Sequence, residues 1–112
     1  MGTRILIVSD RMGSENDELG RVLMRNFLYA LARDEGRPVA VMLSNAGVRL
    51  ACNGSDSLDD LKLLAASGVL VRACGTCLDY LGLVDELAVG EVGTMNQLVS
   101  AVLGEDEIVT IA

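Results

Sequence analysis

The chain has no histidine and no tryptophan, and only one phenylalanine, two tyrosines and one proline. Without histidine it loses the side chain that titrates nearest neutral pH, which is also the commonest metal ligand. With so few aromatics, the core must come from Leu, Val, Ile, Ala and Met, residues that suit close packing of helices on a sheet. Cations are scarce as well. Nine Lys and Arg face sixteen Asp and Glu, and a net charge of -7 repels phosphate backbones and anionic lipid surfaces. Nucleic acid and membrane surfaces are therefore disfavoured as partners. Hydrophobic residues make up 51% of the chain. Even so, no apolar run approaches the roughly 18 residues a membrane helix needs. Ile5-Leu6-Ile7-Val8 is too short for the apolar part of a signal peptide, and Leu6 stands where a myristoylation motif wants Ser or Thr. A cytoplasmic location is expected.

What is present reads as one domain over residues 1–112, in the common size range for a single core. Short apolar runs at 4–9, 39–43, 69–73 and 108–111 read as strands. Residues 48–52 read as a short strand or an irregular return, and Ala88-Val89 as a brief strand. Between the strands, a helix should start at Asp17 and end by Gly36, with Pro38 barring its continuation. Ser57-Leu58-Asp59-Asp60 fits a Ser-x-x-acid helix start, and Thr94-Met95-Asn96-Gln97 a capping box for a last helix over 98–103. Alternating strands and helices predict an α/β fold of three layers, α/β/α, around a mostly parallel sheet of four to five strands. In such sheets the loops after the strands share one rim. The loop at 9–16, the turn at 44–47 and the cysteines at 74–77 should gather there.

Cys74-Gly75-Thr76-Cys77 is the most informative stretch, because its thiols fall where a strand gives way to a helical pattern. A thiol beside a helix start can have its pKa lowered from about 8.5 towards about 7, which favours the reactive thiolate. Cys74 and Cys77 are thus the candidate catalytic residues, and spacing alone does not say which is the nucleophile. Other readings stand beside this one. Both thiols are small enough to be core residues. A structural zinc wants four N or S ligands, and the chain offers three cysteines. A thioredoxin-type dithiol has the same spacing but usually a Trp before it and a later cis-Pro, which are missing here. A reversible Cys74–Cys77 redox switch and an inert, partner-binding rim complete the alternatives. Cys52 reads as packing, and Asp10, Asp17 and Asp79 as caps or solvated partners. Arg72 is a candidate to stabilise a sulfur anion. The Gly13-Ser14 loop lacks a Walker Lys and carries Glu15 and Asp17, so neither a phosphate site nor a cofactor is expected there.

The segment from Ala73 to Leu83, with Asp85-Glu86-Leu87-Ala88-Val89-Gly90 after it, resembles the carboxyl-terminal domain of the YedF family, sulfurtransferase-like selenium-metabolism proteins of the DsrE/DsrF-like group. Ile7-Val8-Ser9-Asp10, the segment from Leu19 to Met24 and Asn45-Ala46-Gly47-Val48 are similar to other parts of that family. The resemblance implies a DsrE-like α/β/α fold, assembly into homo-oligomers and a cysteine that carries sulfane sulfur, or selenium, as a persulfide between proteins. In related relay subunits the carrier cysteine stands eight residues before a glycine, which matches Cys74 and Gly82. On that resemblance Cys74 is the nucleophile and Cys77 a second, resolving thiol. Family members begin with a TusA-like domain, whereas these residues open on the DsrE-like part. A TusA-like sulfur carrier, or another donor or acceptor protein, is therefore expected as a partner.

Overall fold

A computed structural model describes residues 2–112. The chain runs β1 (Thr3–Ile7), α1 (Asp17–Arg33), β2 (Ala40–Leu43), a 3₁₀ segment (Asn45–Ala51), α2 (Leu58–Ala66) and β3 (Leu70–Cys74). It continues with α3 (Gly75–Tyr80), a second 3₁₀ turn (Val84–Glu86), β4 (Glu91–Gly93), α4 (Met95–Val102) and β5 (Glu107–Ile111). Five strands form one sheet in the order β4-β3-β2-β1-β5, and every pairing is parallel. This is the expected α/β/α architecture.

Alternation along the strands gives the sheet two unlike faces. Ile5, Ile7, Val41, Leu43, Val71 and Ala73 stand in register on one of them and are buried against Met24, Leu28 and Ala32 of α1 and Leu61 and Leu64 of α2. The other face presents Leu6, Met42, Arg72 and Cys74, and α4 lies over it through Gln97 and Leu98. That cover is thin. No residue of α4 is buried, and Met95, Val99, Val102 and Leu103 remain exposed.

Two helix starts behave differently. Thr94 and Gln97 form the expected capping box, each side chain bonding the other's backbone N–H. Ser57 makes no side-chain cap for α2. Its would-be partner Asp60 is buried and accepts from Arg33 Nη1 at 2.8 Å, so that carboxylate joins α2 to the end of α1 instead. The first helix stops at Arg33, where Asp34 turns extended. Gly36, the expected stop, lies beyond it.

Of the two readings open for residues 48–52 the irregular return holds, and the strand expected at 88–89 is corrected. Residues 48–52 fall largely in the 3₁₀ segment, because both edges of β2 are already taken by β1 and β3 and leave no place for a further strand beside it. Gly47 in that segment packs on the Ile7 carbonyl, where a Cβ would collide. Ala88-Val89 is not a strand either. Ala88 N–H is bound to the Ala51 carbonyl at 2.8 Å and Leu87 bridges to Cys52, which holds this stretch off the sheet. Only after Gly90, at φ 80° and against the Val71 carbonyl, does the chain join β3 as Glu91–Gly93.

The open end of β1 is tied to β5 by one carboxylate. Asp106 accepts from Gly2 N–H at 2.9 Å and from Arg4 Nε at 2.9 Å, and these bonds hold its pKa at about 2, below the ordinary 3.8. A depressed carboxylate pKa stabilises the fold above the unfolded value and ceases to do so as pH falls through the folded one. Asp106→Asn should therefore lower the thermal midpoint at pH 7. The difference from the parent chain should shrink between pH 3.8 and about 2, as acid unfolding followed by circular dichroism will read. A gap that stays constant across that window would show that Asp106 acts only through packing.

Candidate functional site

Strand β3 ends at Cys74 and α3 begins at Gly75, so the Cys-x-x-Cys motif spans the strand-to-helix junction as expected. Cys74 Sγ is the side-chain cap of α3 and accepts from Cys77 N–H at 3.4 Å. Cys77, in the first turn, reaches across to the end of the neighbouring strand. Its Sγ accepts from Asn45 N–H at 3.1 Å and lies 3.9 Å from Ser44 Oγ. The motif and the turn at 44–47 thus meet, as the rim argument expects. The β1 loop touches that turn through Ser9, beside Gly47, while Asp10 is held by Arg11 at 2.9 Å and lines a separate cleft.

Asn45 is the one described non-glycine residue at positive φ, 51°. Asparagine tolerates this left-handed region because its short amide can bond locally, and here Oδ1 accepts Ala46 N–H at 2.8 Å. The conformation aims the Asn45 N–H at the sulfur of a helix 32 residues away in sequence.

The two thiols are unlike. For Cys77, burial alone would raise the pKa, but hydrogen bonds from the Cys74 thiol, Asn45 N–H and the Ser44 hydroxyl outweigh it and hold the value below that of an ordinary thiol. For Cys74, burial and the adjacent Cys77 sulfur push the pKa up, and the N–H groups of Cys77 and Thr76 only partly oppose them. Of the pair, Cys77 is therefore the thiol that ionises first, and Cys74 the one that holds its proton longer. A helix dipole alone would have favoured both. Specific donors decide between them. Cys52 is buried, gives its S–H to the Val48 carbonyl at 3.2 Å and has its pKa raised by burial, the state of a packing residue. Asp79 is exposed, and no hydrogen bond joins it to either sulfur.

Cys74 also lines a cavity of about 40 Å³ between the sheet and α4, with Leu6, Met42, Arg72, Met95 and Leu98. A single water takes roughly 10–15 Å³ by the same kind of measure, so this space holds only a few atoms. Arg72, two residues before Cys74 on one strand, shares its face and lines the same cavity, with Nε held by Glu91 at 2.9 Å. Sequence reasoning did not assign Asn45, Ser44 and Met95 to the site. The turn chemistry of Ser44-Asn45 was the available signal, since it follows a strand expected to lie beside β3. Among the described residues no third Cys, Asp or Glu joins the two thiols as a metal-ligand group, and no helix is long and apolar enough to cross a membrane.

No family model and no curated protein matches the chain in sequence. Solved structures do match over nearly its whole length. The ychN protein of E. coli superposes with a TM-score of 0.71 at 24% identity, covering 97% of this chain and 99% of that one. A protein of unknown function from Methanobacterium thermoautotrophicum, MTH1491, gives 0.67 at 21% identity over 98% and 99%. BT1422 from Bacteroides thetaiotaomicron, also of unknown function, gives 0.65 at 16% over 96% and 94%. The chain has the DsrE-like fold.

The asymmetry of the thiols sets their reactivity. In alkylation rates read by peptide mapping against pH, Cys77 should titrate below the ordinary thiol value and Cys74 above it, with Cys52 silent until the chain unfolds. In Cys77→Ser the Cys74 midpoint should fall, because the neighbouring sulfur that raises it is gone. Identical profiles for the two cysteines would refute the assignment of Cys77 as the thiol that ionises first.

Proposed function

We propose that this chain is a sulfur-relay protein of the YedF type, which carries sulfane sulfur, or selenium by an analogous route, as a cysteine persulfide on Cys74 and Cys77. The observation that carries the reading is the meeting of two unlike thiols at the strand ends, Cys77 with a lowered pKa and Cys74 with a raised one. A donor persulfide needs a thiolate to attack it, and Cys77 supplies one without a histidine base. Cys77 Sγ bonds to the donor's outer sulfur, the donor S–S bond breaks, and the donor leaves as a thiolate. Cys74 then gives its proton to the departing donor thiolate and attacks that same outer sulfur, releasing Cys77 as a thiolate that the Asn45 N–H and the Ser44 hydroxyl still favour. The sulfur now hangs on Cys74, beside a cavity with room for an atom of that size. An acceptor thiolate removes it by a third displacement. The carrier role that the family resemblance gives Cys74 and the lowered pKa of Cys77 fit this one cycle.

A TusA-like carrier, or another protein thiol, is the partner this chemistry calls for, in a reducing compartment such as the cytoplasm. Intact-mass measurement after incubation with a sulfane-sulfur donor at pH 7, with peptide mapping, tests the cycle. The parent chain should gain one sulfur. Cys77→Ser should load about tenfold or more slowly, since burial still holds up the pKa of the thiol that remains and the entry thiol is gone. Cys74→Ser should load but strand the sulfur on Cys77 and pass little to an acceptor. Loading of Cys77→Ser at the parent rate would overturn the proposed entry step.

We also read the protein as a homo-oligomer. Met95, Val99 and Val102 repeat at helical spacing on α4 and are each about half exposed, an apolar stripe of the kind that interfaces cover. Val99→Lys combined with Val102→Lys should reduce the mass seen by light scattering to that of one chain, without unfolding it. A parent chain that is already monomeric would remove this reading.

A further inference from the structure

Of the eight arginines, six are held within the fold. Arg4, Arg11, Arg25, Arg33 and Arg72 each meet a carboxylate, and Arg37 donates to the Ala32 carbonyl. Arg21 and Arg49 have no hydrogen-bond or ion-pair partner among the described residues, although sixteen carboxylates are present in the chain. These two line the same cleft, of about 290 Å³, and Arg25 lines it with them. The cleft lies between α1 and the stretch from the end of the 3₁₀ segment Asn45–Ala51 to the start of α2, remote in sequence from the cysteine motif.

Gathering three guanidinium groups is unfavourable by itself. Arg21 and Arg25 stand four apart on α1, where like charges repel, and Arg49 is brought to them from another element. The acids in the cleft do little to offset this. Asp10 is bound by Arg11 at 2.9 Å, and Asp56 meets Arg25 only at 3.5 Å in an exposed pair. Exposed pairs of that kind are weak and readily exchanged. Met24 and Leu50 form its apolar floor, and Asn53, Ser55 and Ser57 add polar groups to the wall beside Gly54, whose left-handed backbone has open space where a Cβ would be.

We propose that this cleft binds a small tetrahedral oxyanion, a phosphate or sulfate group, either free or as the head of a small ester. Guanidinium groups present paired N–H donors whose spacing fits such oxygens, and a dianion would neutralise the two unpaired charges. In a chain of net charge -7 this is a local site of opposite sign. It takes no part in sulfur transfer and stands or falls independently of the thiols.

Titration of the intact chain with inorganic phosphate, sulfate and glycerol 3-phosphate, followed by amide chemical shifts at constant ionic strength, tests the proposal. Shifts should concentrate at Arg21, Arg49 and residues 53–57 and saturate. Arg49→Met and Arg21→Met should each weaken binding at least about tenfold, as expected for loss of one charge-assisted contact. Lys62→Met, the same charge change elsewhere, should leave it unchanged, and Cys74→Ser should bind like the parent. Tighter binding of the ester than of inorganic phosphate would assign an organic ligand, and equal binding the free ion. Absence of saturable shifts, equal shifts with chloride, or equal weakening by Lys62→Met would each overturn the site.

Discussion

Parallel pairing of β2 with β3 is the constraint on which the site depends. Leu43 stands opposite Ala73, so the residues that follow each strand, Ser44 and Asn45 on one side and Cys74 to Cys77 on the other, must emerge side by side. An antiparallel arrangement would have sent them to opposite edges. The register is in turn enforced by burial. Val41, Leu43, Val71 and Ala73 all face the core, and a slip of one residue would turn each of them to the thinly covered face.

From that register follows an electrostatic division of labour. A thiolate needs donors, and without histidine those that lower the Cys77 pKa are the backbone N–H of a left-handed Asn45, a hydroxyl and the second thiol. None of them carries a formal charge, so the thiolate gains stability without losing reactivity to a tight ion pair. The other sulfur receives fewer donors, keeps its proton and looks into the small cavity under α4. The two faces of the sheet divide along the same line. One is a closed core, while the other, covered by a single short helix with an apolar outer stripe, keeps space beside Cys74 and surface for another molecule.

Charge elsewhere is used economically. Asp106 ties the first strand to the last, Asp60 ties α2 to α1, and Glu91 secures Arg72 along the β3–β4 edge. Against this pattern of paired arginines, the unpaired Arg21 and Arg49 stand out as a second feature that the thiol chemistry does not require.

Much of this was legible in the chain itself. Apolar runs broken by glycine and polar turns placed four of the five strands and the four helices in alternation, and hence the parallel sheet, because each short run can be buried only between layers. The motif at 74–77 could be placed at a strand end from its neighbours alone, and the box at 94–97 capped as its residue types require. Less was legible where one local pattern had two uses. Ser57 to Asp60 looks like a cap, yet its acid serves a longer-range pair that only the approach of α1 creates. Ala88-Val89 has strand composition but is anchored to Ala51 before it can reach the sheet. The identity of the chemical groups, two thiols with no histidine, was determined by sequence, since composition fixes what can react. Which thiol ionises first was decided only by tertiary structure, because the deciding donors, Ser44 and Asn45, lie some thirty residues away and act over hydrogen-bond distances that no local spacing encodes.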